Sequence, residues 1–585
     1  MRVRGLAYPR LSFASVLFFC LAFLLIGTRA AGQNNTWQGA ANILDFWSNA
    51  GEWSLGVVPD GSTNIIIPQG GVLGDTSFTN LNVLTIGSPA ELSLQSTTTV
   101  ANVGLVVDNG TFSINSGATL SNNLGTFGGT GTYLNSGTIE GAGQIGDSTL
   151  GFPTLINQPG GTISANVSGQ QLSINGVFVS NTGLMEATAG GTLSFTNGSI
   201  ISNQGGIIDS NGGEVLLIGS TVQGGTLNNV SGTIAGISAT LDGSTAAGAV
   251  TILGTFTGNS TSAPTFLLGT INNQGTIVGG EQLTLVGDTT LQGGGTVSLG
   301  GGAIDGTHVL TNVDNTIQGR GAIGDSLGGF PTLINEAGGT INANLSAKVL
   351  DIFGVLTTNA GVMEATGGGI LVLNTSPLTN SGTVQVDSAS TLQVLAPFTQ
   401  TGGKTQVDGT LLAVFGENVS GGMVLGTGTI NGNITMTGGA MQPGGASNPG
   451  VLVINGNYDS NAAFNELING AGNGLLVVNG SSTLESGALL NIELLGGFTP
   501  FVGETFTLMD FFSGTGTFAN APTTGFVMDG FNWTIAYNAT DIVLDAGSPV
   551  STTPTPEPGS FLLLVMGAAG LSRKLQRKKP KTETH

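Results

Sequence analysis

Hydrophobic and polar positions alternate in short runs along most of this chain. Leu172-Ser-Ile174, Leu193-Ser-Phe195, Leu283-Thr-Leu285 and Val297-Ser-Leu299 are typical. A period of two puts successive side chains on opposite faces of a strand, one buried and one wet. No stretch of the body carries the 3.6-residue period of a helix. Gly and Asn punctuate the runs, so the pattern predicts strands of four to six residues joined by tight corners.

The runs belong to repeats. Ile145-Gly-Asp-Ser, Gly151-Phe-Pro-Thr-Leu-Ile-Asn157, Gly160-Gly-Thr-Ile163 and Ala165-Asn166 recur 178 residues later, from Ile323 to Asn344, and Met185-Glu-Ala-Thr188 recurs as Met363-Glu-Ala-Thr366. Within this duplication a shorter motif begins at Asn135, Asn157, Asn181, Asn203, Asn229, Asn273, Asn335, Asn359 and Asn380. Each Asn is followed within a few residues by Gly, a small or β-branched residue and an apolar one. Most steps are 21 to 26 residues, and 178 divided by about 22 gives eight units. Such a period indicates a stacked architecture. Three short strands per unit, with no helical segment, select a parallel β-solenoid with coils about 4.8 Å apart. The asparagines are expected at corners, tolerating left-handed angles and stacking as an amide ladder. Glycine is expected to supply the remaining positive-φ corners.

Composition sharpens this. Of 585 residues 100 are glycine, only 8% are charged and 39% are hydrophobic. Strand and turn formers dominate, with enough apolar surface for a core. Net charge is −21, and between residues 33 and 572 the only cations are Arg320, Lys348 and Lys404. That excludes nucleic-acid binding, which requires clustered Lys and Arg.

The remaining cations mark the ends. Arg2, Arg4 and Arg10 precede the uncharged apolar run Leu11–Ile26, and Thr28-Arg29-Ala30 or Ala31-Gly32 offers a small-residue cleavage site. Residues 1–32 read as a secretory signal peptide, which would remove Cys20, the only cysteine. At the other end Thr553-Pro554-Thr555 leads to Pro556-Glu557-Pro558, the apolar Phe561–Leu571 and a basic cluster from Arg573 and Lys574 to Lys581. This tail resembles the PEP-CTERM sorting signal of Gram-negative bacteria. The resemblance implies an exosortase-type membrane protease as partner, a transient membrane-anchored precursor and release to the outer surface. About 13 apolar residues are short for stable spanning.

The body from about residue 34 to 545 resembles autotransporter-type β-helix passengers. The resemblance rests on Trp37, Trp47, Trp53 and Asn64-Ile-Ile-Ile67 at the start, then Gly426-Thr-Gly-Thr-Ile-Asn-Gly-Asn433, Pro443-Gly-Gly and Trp533-Thr-Ile-Ala-Tyr537 near the finish. It implies an architecture rather than an activity. True autotransporters carry an outer-membrane barrel after the passenger, where a sorting tail is expected here, so the resemblance does not imply self-translocation. The expected divisions are 1–32 signal peptide, 33–70 Trp-rich N-terminal cap, 71–430 solenoid, 431–547 C-terminal β cap, and 548–585 linker with sorting signal.

Candidate chemistry is thin. Trp37, Trp47 and Trp53 could stack on sugar rings, although a cap core explains them more simply. His308 lies near Asp305 and Asp314 in sequence. Asp147 with Asp325, and Glu186 with Glu364, recur in the duplication, which suits coil corners better than a unique active site. No His/Cys cluster, recurrent calcium nonapeptide or phosphate-binding loop is present. The expectation is therefore a non-enzymatic surface or matrix protein without cofactor, with extracellular polysaccharide as partner. The alternative is a polysaccharide-binding or polysaccharide-cleaving β-helix, in which hydrolysis would need two carboxylates roughly 5 to 9.5 Å apart.

Overall fold

The computed structural model describes residues 33–550, apart from 41–43, 60–62, 80–82, 259–262, 281 and 326–327. It is a parallel β-solenoid. All its strands join one sheet system, and the only helical elements among the described residues are two 3-10 turns, Ala50–Glu52 and Leu495–Gly497.

One coil shows how the sequence produces the fold. Thr154–Asn157, Thr162–Ala165 and Gln171–Asn175 form its three strands, and each pairs in parallel with the strand one coil on: Phe178–Asn181, Leu184–Thr188 and Thr192–Thr196. Leu155, Ile163, Leu172 and Ile174 point inward and are fully buried, while Ile156, Thr162 and Ser173 alternate with them and are partly exposed. Burying each such side chain is worth roughly 2 kcal/mol. A lone coil would expose its strand edges and both ends of its core, so stability comes from stacking.

The three strands of each coil define three faces, and parallel pairing follows each face along the column. It starts with Gln33–Thr36 on Thr63–Ile67 and Leu44–Phe46 on Gly71–Gly74. It ends with Leu475–Leu484 on Thr505–Gly516. Residues 71 and 430 are therefore not breaks, and the segments expected as separate caps carry coils of the same ladder. Closure comes later, from antiparallel pairing of Thr505–Gly516 and Phe531–Tyr537 with Asp541–Pro549. That reversal occupies the last strand edges with the chain itself.

The duplication does not repeat after a whole number of coils. Thr154–Asn157 lies on the first face, whose ladder continues through Phe178–Asn181, Ile200–Ser202, Thr221–Gln223 and Thr240–Gly243. Its counterpart Thr332–Asn335 lies on the second face. That ladder starts from Thr162–Ala165 and passes through Leu184–Thr188, Ile207–Asn211, Gly225–Asn229, Val250–Leu253, Thr265–Asn273, Gln282–Gln292 and Val309–Asn312. From Thr162–Ala165 to Thr332–Asn335 are eight steps, and Thr154–Asn157 sits one strand earlier. The offset is thus eight coils and one strand, not the eight units that division suggested. The second copy presents its surface on the neighbouring face.

Candidate functional surface

Two amide ladders run inside the column. In the first, Asn135 Nδ2 donates to Asn157 Oδ1 at 2.8 Å, Asn157 to Asn181 at 2.7 Å and Asn181 to Asn203 at 2.7 Å. In the second, Asn312 donates to Asn335 at 2.9 Å, Asn335 to Asn359 and Asn359 to Asn380 at 2.8 Å each. These residues are at most 1% exposed, so they are inward-facing strand ends rather than solvent-facing corners. None has a positive φ, so left-handed tolerance is not why Asn is used. A buried amide must be hydrogen-bonded, and a stack of identical amides satisfies itself. The glycine after each Asn is explained by space. A Cβ on Gly161 would lie 2.6 Å from Asn157 Oδ1, and one on Gly339 2.3 Å from Asn335 Oδ1. The ladders sit at different corners because the duplication is rotated by one strand. Asn229 turns instead to Thr255 O, and Asn273 donates to Asn315.

The tryptophans do not form a platform. Trp37, Trp47 and Trp53 are 1%, 0% and 2% exposed. Trp53 packs edge-on against both others with ring centroids 5.0 Å apart, and its indole N–H donates to Trp47 O. Their faces are consumed by the core of the first coils, so they cannot stack on a sugar.

His308 faces Asp288, Nδ1 to Oδ1 at 3.7 Å, on the exposed surface. Asp305 points inward instead and accepts from Gln282 Nε2. Asp147 is committed to its own loop: Thr149 Oγ1 and the amides of Thr149 and Leu150 donate to it and hold its carboxyl below the usual range. Asp325 makes the equivalent contact with the Gly328 amide. Both loops close through paired backbone bonds, Asp147 to Gly151 and Asp325 to Gly329.

Two outward carboxylates do meet. Glu186 and Asp209 are register partners on adjacent coils. Burial, then the Glu186 charge, pushes the Asp209 carboxyl up, and Asn228 donates to it at 3.0 Å. Glu364 is raised likewise by burial and then by Asp387. Among the described residues no group of three or more His, Cys, Asp or Glu could hold a metal ion.

Besides Asp305, three further acids turn into the core, Asp108, Glu417 and Glu466, which sequence periodicity gave no reason to single out. Burial pushes Asp108 and Glu417 up to about 7 and Glu466 well above the usual glutamate value. Asp108 retains backbone hydrogen bonds from Gly110 and Phe112. Pro556, Glu557, Pro558, Arg573 and Lys574 lie outside the described residues. Among those described, no helix is long and apolar enough to cross a membrane.

The fold thus defines a class, the parallel β-solenoids with a continuous three-faced column. Comparison with known proteins adds two partial likenesses. A 131-residue stretch is 36% identical to the deoxyribonuclease CdiA of Dickeya dadantii (strain 3937), covering 21% of this chain and 4% of that protein's length. The Haemophilus influenzae Hap adhesin aligns over 83% of this chain and 64% of its own at 10% identity and a TM-score of 0.35. No family profile matches the chain. Neither likeness is enough to transfer an activity.

Proposed function

We propose that this chain is an exported cell-surface or extracellular-matrix protein that acts by extended shape, in adhesion or matrix cohesion, with polysaccharide as partner. The observation that carries this reading is the uninterrupted parallel ladder from Gln33 to Gly516. It makes one stiff column whose polar faces repeat with every coil. The charge pattern supports export: cations gather at the two ends and leave an acidic body between them. In this reading residues 1–32 direct secretion across the inner membrane of a Gram-negative cell. The Pro556-Glu557-Pro558 tail engages an exosortase-type protease while its apolar segment holds the precursor in the membrane. Deletion of residues 556–585 should leave folded protein off the cell surface. Normal surface display of that deletion would refute the sorting role. For adhesion, cells lacking the protein should lose attachment or aggregation, and the purified exported body should restore it.

A second reading, polysaccharide cleavage, is favoured by the Glu186–Asp209 pair, which adjacent coils bring together with one carboxyl raised. Release of reducing ends from a polysaccharide panel, abolished by Glu186→Gln or Asp209→Asn, would install it in place of the adhesive reading.

A further inference from the structure

Other apolar side chains are exposed elsewhere on the column, Phe415 and Phe512 among them, but just after each duplicated loop an exposed phenylalanine recurs beside another exposed apolar side chain. In the first copy Phe152 is 48% exposed, and its ring lies over Gly176, where a Cβ would come within 2.8 Å of it. Beside it, Phe178 is 51% and Ile200 41% exposed, in register on adjacent coils. In the second copy Phe330 stacks on Phe353 with centroids 6.3 Å apart, and Leu356 occupies the register position of Phe178. Phe330 and Leu356 are 39% and 40% exposed. Paired backbone bonds between Asp147 and Gly151, and between Asp325 and Gly329, lie immediately before the two phenylalanines. Because the duplication spans eight coils and one strand, the ledges lie roughly 40 Å apart along the axis and on neighbouring faces.

We propose that these two ledges are equivalent binding sites for uncharged polysaccharide, and that each takes a different chain, so that the protein is a cross-linker of neutral polymer. The proposal rests on the surface-adhesive reading above. Rigid exposed aromatics recur at recognition surfaces because they offer large contact area at little entropic cost, and the apolar face of a sugar ring is flat and hydrogen-rich. Charge decides among polymers. No cation lies on either ledge, the described body holds only Arg320, Lys348 and Lys404, and the net charge is −21. A polyanion would be repelled and a neutral chain would not. Position decides the mode: sites on one face could follow a single straight chain, whereas sites on neighbouring faces engage two. Each ledge is small and individually weak, so retention in a network comes from valency.

The test uses the exported protein with dextran and hydroxyethylcellulose as neutral probes and alginate as the anionic one. Wild type should bind at least one neutral probe at two sites per protein and raise its viscosity, with alginate binding at least tenfold weaker. Phe152→Ala/Phe178→Ala, or Phe330→Ala/Leu356→Ala, should bind at one site and lose the viscosity rise. The fourfold variant should lose binding with an unchanged melting temperature, since every residue replaced is at the surface. Binding stoichiometry unaffected by the variants overturns the ledges while leaving the adhesive reading intact. Tighter binding of alginate overturns the charge argument. Oligomers in wild type that the variants abolish, without polymer binding, would reassign the ledges to contact between copies of this chain. If wild type binds no polymer at all, both the ledges and the polysaccharide partner fall.

Discussion

Replacing Glu417 by glutamine should stabilise this protein above neutral pH and leave it almost unchanged near pH 4. The reason lies in the proton count at the end of the second amide ladder. Gln400 Nε2 donates to Gly421 O and Met423 O, both at 3.2 Å, which turns its Oε1 toward Thr405. Thr405 Oγ1 lies 2.5 Å from that oxygen and 2.8 Å from Glu417 Oε1. One hydroxyl has one proton. If Thr405 gives it to Gln400, the short contact to Glu417 needs a proton from the carboxyl, so the geometry calls for neutral Glu417. Its Oε2 is buried without a donor, which is costly for an ionised oxygen. The neighbouring strands Phe398–Gln400, Lys404–Val407 and Ile434–Met436 bring one ionisable side chain, Lys404, whose Nζ is turned to Gln406 Oε1.

Burial raises this carboxyl from 4.5 to about 7. Between those values the folded state binds a proton that the unfolded state has released, so stability falls as pH rises through the window and is flat above it. The interval corresponds to roughly 3 kcal/mol. Glutamine keeps the shape and donates to Thr405 through Nε2, but has no proton to lose. Urea titration of both proteins from pH 4 to 8 should therefore show the variant gaining up to about 3 kcal/mol over wild type. Other buried acids, Asp108 and Glu466 among them, are common to both proteins and cancel. Amide hydrogen exchange of peptides spanning residues 398–423 should show the same pH-dependent difference locally, because solenoids can open by sections. A stability difference that does not change between pH 4 and 8 would refute the reasoning, because it would mean that the native carboxyl is already ionised.

The remaining predictions concern packing. Asn335→Ala removes one acceptor of Asn312 Nδ2 and the Asn335 donor to Asn359 Oδ1, breaking the buried ladder on both sides. It should lower stability by about 2–4 kcal/mol in urea melts, and Asn157→Ala should do the same through Asn135 and Asn181. Gly339→Ala should be as damaging although it adds only a methyl group, because its Cβ would meet Asn335 Oδ1 at 2.3 Å; a melting temperature within a degree of wild type would contradict this. Trp53→Ala should lose about 3–5 kcal/mol and speed exchange in the first coils, while polymer binding stays unchanged.

The legible part of this fold was whatever repeats locally. Alternation in Leu172-Ser-Ile174 and the Asn-to-Gly spacing are read within a few residues, and they specify a wound parallel column before any coordinate is known. The phase of the duplication is a different kind of quantity. Dividing 178 by a mean coil length cannot separate eight coils from eight and one third, because coils vary by several residues at their corners. Only strand pairing shows that Thr332–Asn335 has moved to the face beside that of Thr154–Asn157.

The same limit governs the sites. Tryptophan can serve as core or as platform, and whether the rings of Trp37, Trp47 and Trp53 face in or out is settled by contacts between strands distant in sequence. Phe152 and Phe330 drew no attention as aromatics because they sit inside the most strongly repeated segment, where recurrence reads as architecture. Yet a repeat constrains its buried positions and leaves its outward ones free. A phenylalanine that recurs half-exposed just after a self-closed loop fills no buried position there, whereas Asn157 and Asn335 plainly do. Recurrence of an outward apolar residue is therefore the signal that points to a partner, and it becomes readable only once inward and outward positions have been told apart.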